Sequence, residues 1–301
     1  MPTLFIHSGL HKTGTTSLQK ALHDNRAVLA RQGLLYPETG VPENPAHWGH
    51  HDLAYALRDP EAGPAIWHQL RQEADTAGHD RVVVSSEELG LLPFPKMPGP
   101  KPYRIIAEAF DGWEIRLICY LRPQAEMITS TYNHHVKAVG EHGHILDFIG
   151  RIAGRLDYQH YLNVAASGLG EGAIRVRRYQ KAQMVEGDII SDMAAQIGLD
   201  LRKGFKRPPA PLNPGLTPAG LEAMLEANRR LEGQPEALRA ERQRILARHR
   251  APAFQQHDLL GPDVRRAIAA LYRQKNRHVA RRFLKEDADL FAPEPHGAPV
   301  G

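Results

Sequence analysis

The chain has 301 residues, 42% hydrophobic and 24% charged, enough for one sizeable buried core and too little for three ordinary domains. Lys plus Arg number 38 against 34 Asp plus Glu, and a formal charge of +4 spread over so large a surface excludes a charge-driven nucleic-acid binder. The single cysteine, Cys119, excludes an intramolecular disulfide framework and a cysteine-rich zinc site, and fits a reducing compartment.

Leu4–His7 is a short apolar run that breaks off at Ser8 and Gly9. After Gly14 the residues Leu18, Ala21, Leu22 and Leu29 recur at helical spacing until Gly33, so this stretch reads as strand, glycine loop and helix. Charge and glycine arrive too early for a signal-peptide core, and no apolar run is long enough to span a membrane. A soluble, cytoplasmic protein is the expectation.

A second helix is predicted from about Glu61 to Ala77. Arg81-Val-Val-Val-Ser85 then reads as a strand covered on both faces, running into Ser86, Glu87 and Glu88. Leu92–Pro102 holds five prolines and must be irregular. Ile115–Leu121 is another buried strand, with Pro123 opening a helix to about Val139. Ile174–Tyr179 is a further strand, followed by a helix around Lys181–Ile197. Strands alternating with helices predict an α/β fold with a parallel sheet.

Beyond a proline-rich connector, Lys206–Pro218, only helices are expected: Pro218–Leu231, Pro235–His249 and Pro262–Lys285. They could form a lobe or cover the sheet. The chain length favours one domain over residues 1–292, with the sheet core in about 1–200, the helices in about 216–285, and a disordered tail at 293–301.

The loop Gly9-Leu-His-Lys-Thr-Gly-Thr-Thr16 lies between a strand and a helix N-terminus, where free amides and the helix dipole favour an anion. Its glycine spacing matches a nucleotide-triphosphate P-loop. The residue after Gly14 is nevertheless Thr15, and the lysine, Lys12, precedes the glycine. Lys12-Thr-Gly-Thr-Thr16 resembles the 5′-phosphosulfate loop of sulfotransferases that use 3′-phosphoadenosine 5′-phosphosulfate (PAPS), and His11–Gln19 looks like the bacterial branch. In that family an arginine at a later strand end and a serine eight residues on hold the 3′-phosphate. Here Tyr120-Leu-Arg122-Pro-Gln-Ala-Glu-Met-Ile-Thr-Ser130 supplies both. Looser similarities run over about residues 3–291, among them Leu212–Pro218 and Asn276 near the end.

The resemblance implies a three-layer, P-loop-NTPase-like parallel sheet with a helical C-terminal part, and sulfuryl transfer from PAPS to a hydroxyl acceptor, leaving adenosine 3′,5′-bisphosphate. No metal is expected. It assigns the phosphosulfate to Lys12, Thr13, Gly14, Thr15, Thr16 and Ser17, the 3′-phosphate to Arg122 and Ser130, and an adenine contact to Tyr179. Lys12 would stabilise the leaving oxygen. The base is Glu87, Glu88 or His11, the last also a possible sulfate contact; Glu87 and Glu88 equally suit the first turn of a helix capped by Ser85 or Ser86.

Arg202-Lys-Gly204 matches the RKG phosphate motif of animal cytosolic sulfotransferases but lacks its Gly-Asp-Trp context, leaving at most an extra contact. His47, His50, His51 and Asp52, and His134, His135, His142 and His144, lack familiar zinc spacing. The partner is a small-molecule or glycan acceptor whose identity, like the oligomeric state, the residues leave open. Two alternatives remain: a P-loop kinase or NTPase, and a non-catalytic nucleotide-binding protein of the same fold.

Overall fold

The computed structural model describes residues 1–10, 12–44, 47–91, 99–208, 215–249 and 259–291. Five parallel strands, β1 (Thr3–His7), β2 (Leu34–Leu35), β3 (Arg81–Ser85), β4 (Glu114–Leu121) and β5 (Ile174–Arg178), form one sheet in the order β2-β3-β1-β4-β5. The chain therefore works outward from β1 to one side, returns through β3, and crosses to β4 and β5 on the other.

Between the strands lie α1 (Thr15–Asp24), α2 (Arg26–Arg31), α3 (His51–Ala56), α4 (Ala62–Ala77), α5 (Lys101–Ala109), α6 (Gln124–His134), α7 (Ile145–Ile152) and α8 (Tyr158–Leu169). After β5 come α9 (Ile189–Ile197), α10 (Pro218–Arg230), α11 (Pro235–Arg248) and α12 (Gly261–Val279).

Side chains alternate across the strands and so divide the core into two layers. Phe5, Val83, Ile118 and Tyr120 face Leu18 and Leu22 of α1 and Ile190 and Met193 of α9. Leu4, Ile6, Val82, Val84, Leu117, Cys119 and Leu121 face the other way, toward Trp67 of α4, Tyr103 of α5, Ile128 of α6, Leu162 of α8 and Ile268 of α12. This is the α/β fold with a parallel sheet expected from the strand pattern, in the three layers and with the helical C-terminal part that the resemblance implies.

Asp192 on α9 ties one layer to the sheet. Fully buried, it accepts from Tyr120 Oη at 2.7 Å, from Arg177 Nε at 2.9 Å and from the amide of Val185 at 3.0 Å, and these bonds outweigh burial and hold its carboxyl below the ordinary value. On the opposite layer α12 packs against α6 and α8. Gln124 and Asn276 exchange amide hydrogen bonds of 2.9 and 3.1 Å, Arg265 meets Glu126 at 2.7 Å, and Lys275 meets Asp157 at 2.6 Å.

Several predicted elements differ. The helix expected to run from Gly14 to Gly33 breaks at Asn25, whose side-chain amide donates to the carbonyls of Ala21 at 2.7 Å and Lys206 at 2.8 Å. The helix expected from Lys181 starts only at Ile189, because Glu186 and Gly187 take left-handed φ angles of 54° and 67° and Asp188 caps the amide of Ser191 at 2.9 Å. The expected helix to Val139 stops being α-helical at His134 and continues as a π turn, His135–Val139. The last helix likewise ends in a π turn, Ala280–Leu284. The short elements α3, α5, α7, α8 and β2 went unread: their apolar faces are recognisable mainly against their partners. The tail at 293–301, most of Leu92–Pro102 and residues 212–214 of Leu212–Pro218 lie outside the described residues. Among those described, no helix is long and apolar enough to cross a membrane.

Candidate functional site

The site is built by the carboxyl ends of β1, β3 and β4. His7, the last residue of β1, is level with Ser85 on β3 and Ile118 on β4. Two backbone bonds continue the ladder past the strands, Ser8 N to Ile118 O at 3.1 Å and Ser86 N to His7 O at 3.0 Å. The loop after β1, the turn after β3 and the start of α6 therefore leave the sheet side by side. Connections from β1 and β4 run in opposite directions, which opens a crevice at their carboxyl ends.

Inside the first loop Thr13 Oγ1 donates to Leu10 O at 2.7 Å, closing a tight turn. Lys12 takes φ 70° and Gly14 φ 77°. A left-handed lysine costs about 1–3 kcal/mol and persists only where its surroundings impose it. Here the imposing contact is Arg122, whose Nη1 donates to the Lys12 carbonyl at 2.8 Å. Helix α1 begins at Thr15 with no side-chain cap and no acid in its first turn, so its amides and positive dipole end remain directed at the crevice. Thr13 and Thr15 are buried, while Thr16 and Ser17 are half-buried.

Arg122 is itself held from two sides. Tyr158 Oη donates to its carbonyl at 2.6 Å, and its guanidinium lies 5.7 Å from the centre of the Tyr179 ring. Tyr179 also closes over the loop: a Cβ on Gly14 would stand 3.0 Å from its hydroxyl and 3.2 Å from Ile189. Lys12, Gly14, Arg122 and Tyr179 are thus brought together from three segments. Burial, with Lys137 and Arg122 adding repulsion and Glu87 opposing them, pushes the Lys12 ammonium down to about 8. Ser130 sits half-buried on α6, six residues and about 9 Å of helical rise beyond its first residue, Gln124. His11 lies outside the described residues.

Glu87 and Glu88 open a short 3₁₀ turn, Glu87–Leu91. The capping pattern expected of the preceding serines is present, since the Glu88 amide donates to Ser86 Oγ at 3.3 Å. The two carboxylates have different surroundings. Glu87 accepts from Gln19 Nε2 of α1 at 2.7 Å and acts electrostatically on Lys12. Glu88 is 4.0 Å from Arg58, and burial together with Glu87 raises its carboxyl above the ordinary value. Gln19 is packed so closely that a Cβ on Gly49 would fall 2.6 Å from its amide and 2.9 Å from Ser85 O.

Beneath these groups lie His7, which sequence reasoning missed, and His50, which it weighed only as part of a histidine group without zinc spacing. His7 Nδ1 is 2.7 Å from Ser85 Oγ, and burial pushes His7 down to about 4. His50 Nδ1 accepts from the Ser85 amide at 3.0 Å, leaving Nε2 to donate to Pro37 O at 3.1 Å, a fixed neutral tautomer with its value at about 3. His51 Nδ1 is 3.0 Å from Ser86 Oγ. These rings brace the ends of β1 and β3. Their only sequence signal is position: His7 ends an apolar strand, and His50 and His51 follow a glycine that must approach backbone closely. His142 and His144 serve turns, at 3.2 Å from Gly140 O and 3.3 Å from the Leu146 amide. Among the described residues no group of three or more His, Cys, Asp or Glu is arranged to hold a metal ion.

One expected contact is elsewhere. Arg202-Lys-Gly204 follows α9, where Arg81 at the start of β3 donates to Gly198 O at 3.1 Å, so it stands at the amino edge of the sheet, opposite the crevice. Arg202 is exposed there and paired with Asp200 at 3.0 Å.

No family model matches the chain, and no curated protein matches it. Among solved structures it is similar to the crystal structure of a sulfotransferase from Alicyclobacillus acidocaldarius, with 16% identity, 82% of this chain and 95% of that chain covered, and a TM-score of 0.43.

Proposed function

We propose that the chain is a PAPS-dependent sulfotransferase acting on a hydroxyl acceptor, a small molecule or a glycan. The observation that carries the reading is the 2.8 Å bond from Arg122 to the Lys12 carbonyl, which joins the two motifs at one crevice although 110 positions separate them. In this reading Lys12, the uncapped amides of α1 and the hydroxyls of Thr15 and Thr16 bind the phosphosulfate. Arg122 and Ser130 bind the 3′-phosphate, and Tyr179 contacts the adenine.

Glu87 is the proposed base, with Glu88 and His11 as the alternatives. Its bond to Gln19 and its proximity to Lys12 support that choice, whereas Glu88 is engaged toward Arg58. Glu87 takes the proton of the acceptor hydroxyl as its oxygen attacks sulfur in line. The bond from sulfur to the bridging oxygen breaks, and Lys12 stabilises the charge that develops on that oxygen. Loss of Lys12 is expected to cost about 100-fold or more in turnover. Residues 1–292 are proposed to act as one domain, supported by the packing of α12 on α6 and α8. The lone buried Cys119 is in keeping with a cytoplasmic setting.

The test is calorimetric titration of the native chain, Lys12→Ala and Arg122→Ala with adenosine 3′,5′-bisphosphate and with ATP. Binding of the bisphosphate that both substitutions weaken is the expected result. Binding of ATP and not of the bisphosphate would favour the kinase reading and overturn this one. Glu87→Gln is expected to keep bisphosphate affinity and lose sulfuryl transfer; unchanged turnover would move the base to another residue.

A further inference from the structure

The strand that delivers Arg122 runs out of sheet partners at Arg122 itself. The last bond there is Tyr179 N to Leu121 O at 2.7 Å, and the next carbonyl, that of Arg122, lies past β4 and before α6. Desolvated without a partner, such a carbonyl is costly. Tyr158 supplies the partner. It is 1% exposed, burial raises its phenol well above the ordinary value so that it stays a donor, and Oη donates to Arg122 O at 2.6 Å. Tyr158 is the first residue of α8. Asp157 before it caps that helix, accepting from the His160 amide at 3.0 Å, and meets Lys275 of α12 at 2.6 Å.

The chain after α12 closes on that tyrosine. Lys285 takes a left-handed φ of 61° and turns the chain back, with the Glu286 amide donating to Ala280 O at 3.2 Å. Arg178, level with Leu121 in the sheet, holds the returning segment at two points. Its guanidinium pairs with Glu286, Nη1 to Oε1 at 3.1 Å, and its Nε donates to the Leu290 carbonyl. Leu290 is fully buried, and the Phe291 ring meets the Tyr158 ring edge-on, with 6.3 Å between centres and 79° between planes. Residues 286–291 therefore lie as a strap against the ring whose hydroxyl fixes Arg122, although 112 positions separate Arg178 from Leu290.

We propose that residues 286–291 are a positioning strap that, acting through Tyr158, fixes where the Arg122 guanidinium stands and so gives the crevice its preference for nucleotides carrying a 3′-phosphate. Tyr158, Arg178 and Phe291 are its positioning residues. The proposal rests on the sulfotransferase reading, which assigns the 3′-phosphate to Arg122. With its carbonyl on Tyr158 and its Nη1 on the Lys12 carbonyl, Arg122 is held at both ends, and a planar fork held this way keeps the distance and angle that phosphate pairing demands. The 5′ group belongs in that reading to the loop and the start of α1, so the strap is felt at the 3′ end.

The full-length chain and its variants are titrated calorimetrically with adenosine 3′,5′-bisphosphate and with adenosine 5′-monophosphate, which lacks the 3′-phosphate alone. Tyr158→Phe and Phe291→Ala are each expected to weaken the bisphosphate about fivefold and to leave the monophosphate within about twofold, which also shows that the variants fold. Phe291→Leu, which refills most of the space, should restore most of the loss. In an Arg122→Ala background the same two substitutions should add little. Equal weakening of both nucleotides, no change in either, or an undiminished effect without Arg122 overturns the proposal. A native chain that does not prefer the bisphosphate refutes the sulfotransferase reading, and the role of the strap falls with it.

Discussion

Lys12→Met should make the unliganded protein more stable while removing its anion binding. Lys12 is half-buried, and desolvation of its ammonium, with repulsion from Lys137 and Arg122, lowers its pKa from 10.5 to about 8. At about 1.4 kcal/mol per tenfold change in a proton equilibrium, holding that proton costs the fold about 3 kcal/mol near neutral pH. Methionine keeps most of the stem and carries no charge; the left-handed backbone strain stays, so the expected gain is about 2–3 kcal/mol. For a chain of 301 residues that raises the melting midpoint by about 3–5 °C.

The sign gives a second readout. The native cost is fully present below pH 8, where the group is charged in both the folded and unfolded states, and disappears as pH rises from 8 through 10.5. The advantage of the variant should therefore shrink across that window. Differential scanning calorimetry of both proteins at pH 7 and pH 9.5, without ligand, measures it. A variant less stable than the native chain at pH 7, or an advantage of the same size at both pH values, would refute the placement of Lys12 as a desolvated cation in an anion site.

Gly14→Ala combines a disfavoured φ of 77° with a Cβ 3.0 Å from the Tyr179 hydroxyl, and should cost about 1–2 kcal/mol in urea unfolding and weaken bisphosphate binding; unchanged affinity would show that the loop tolerates displacement. Asp192→Ala leaves Tyr120, Arg177 and the Val185 amide without their shared acceptor and should destabilise the fold by about 3 kcal/mol, an effect expected to fade as pH falls below 3.8, because the carboxyl contributes only while ionised. Arg122→Lys keeps the charge and loses the planar fork, so bisphosphate affinity in calorimetry should drop about tenfold; full affinity would argue for a simple point-charge contact.

The parallel sheet was legible because a covered strand needs an unbroken apolar run, as in Val82–Val84 and Leu117–Leu121, and these runs alternated with helical spacing. The loop between β1 and α1 was legible because glycine spacing, a lysine and a following helix are local features. Less visible were the breaks: Asn25 ends a helix by bonding to the distant Lys206 carbonyl, and the π turn at His135–Val139 depends on Asn228 and Arg242, 87 or more positions away. The bracing histidines His7 and His50 look like any others in the sequence; a hydrogen bond to Ser85 distinguishes each of them.

By itself, then, the sequence determined which residues could hold an anion, Lys12 and Arg122 among them, since charge, hydroxyls and glycine freedom are properties of the residues and their immediate neighbours. Only the tertiary structure decided that Arg122 locks the Lys12 carbonyl, that Glu87 turns toward Gln19 while Glu88 meets Arg58, and that Arg202 stands at the opposite edge. Each of those depends on strand order and helix packing, which bring distant segments to within hydrogen-bond or electrostatic range, and no local pattern encodes that meeting.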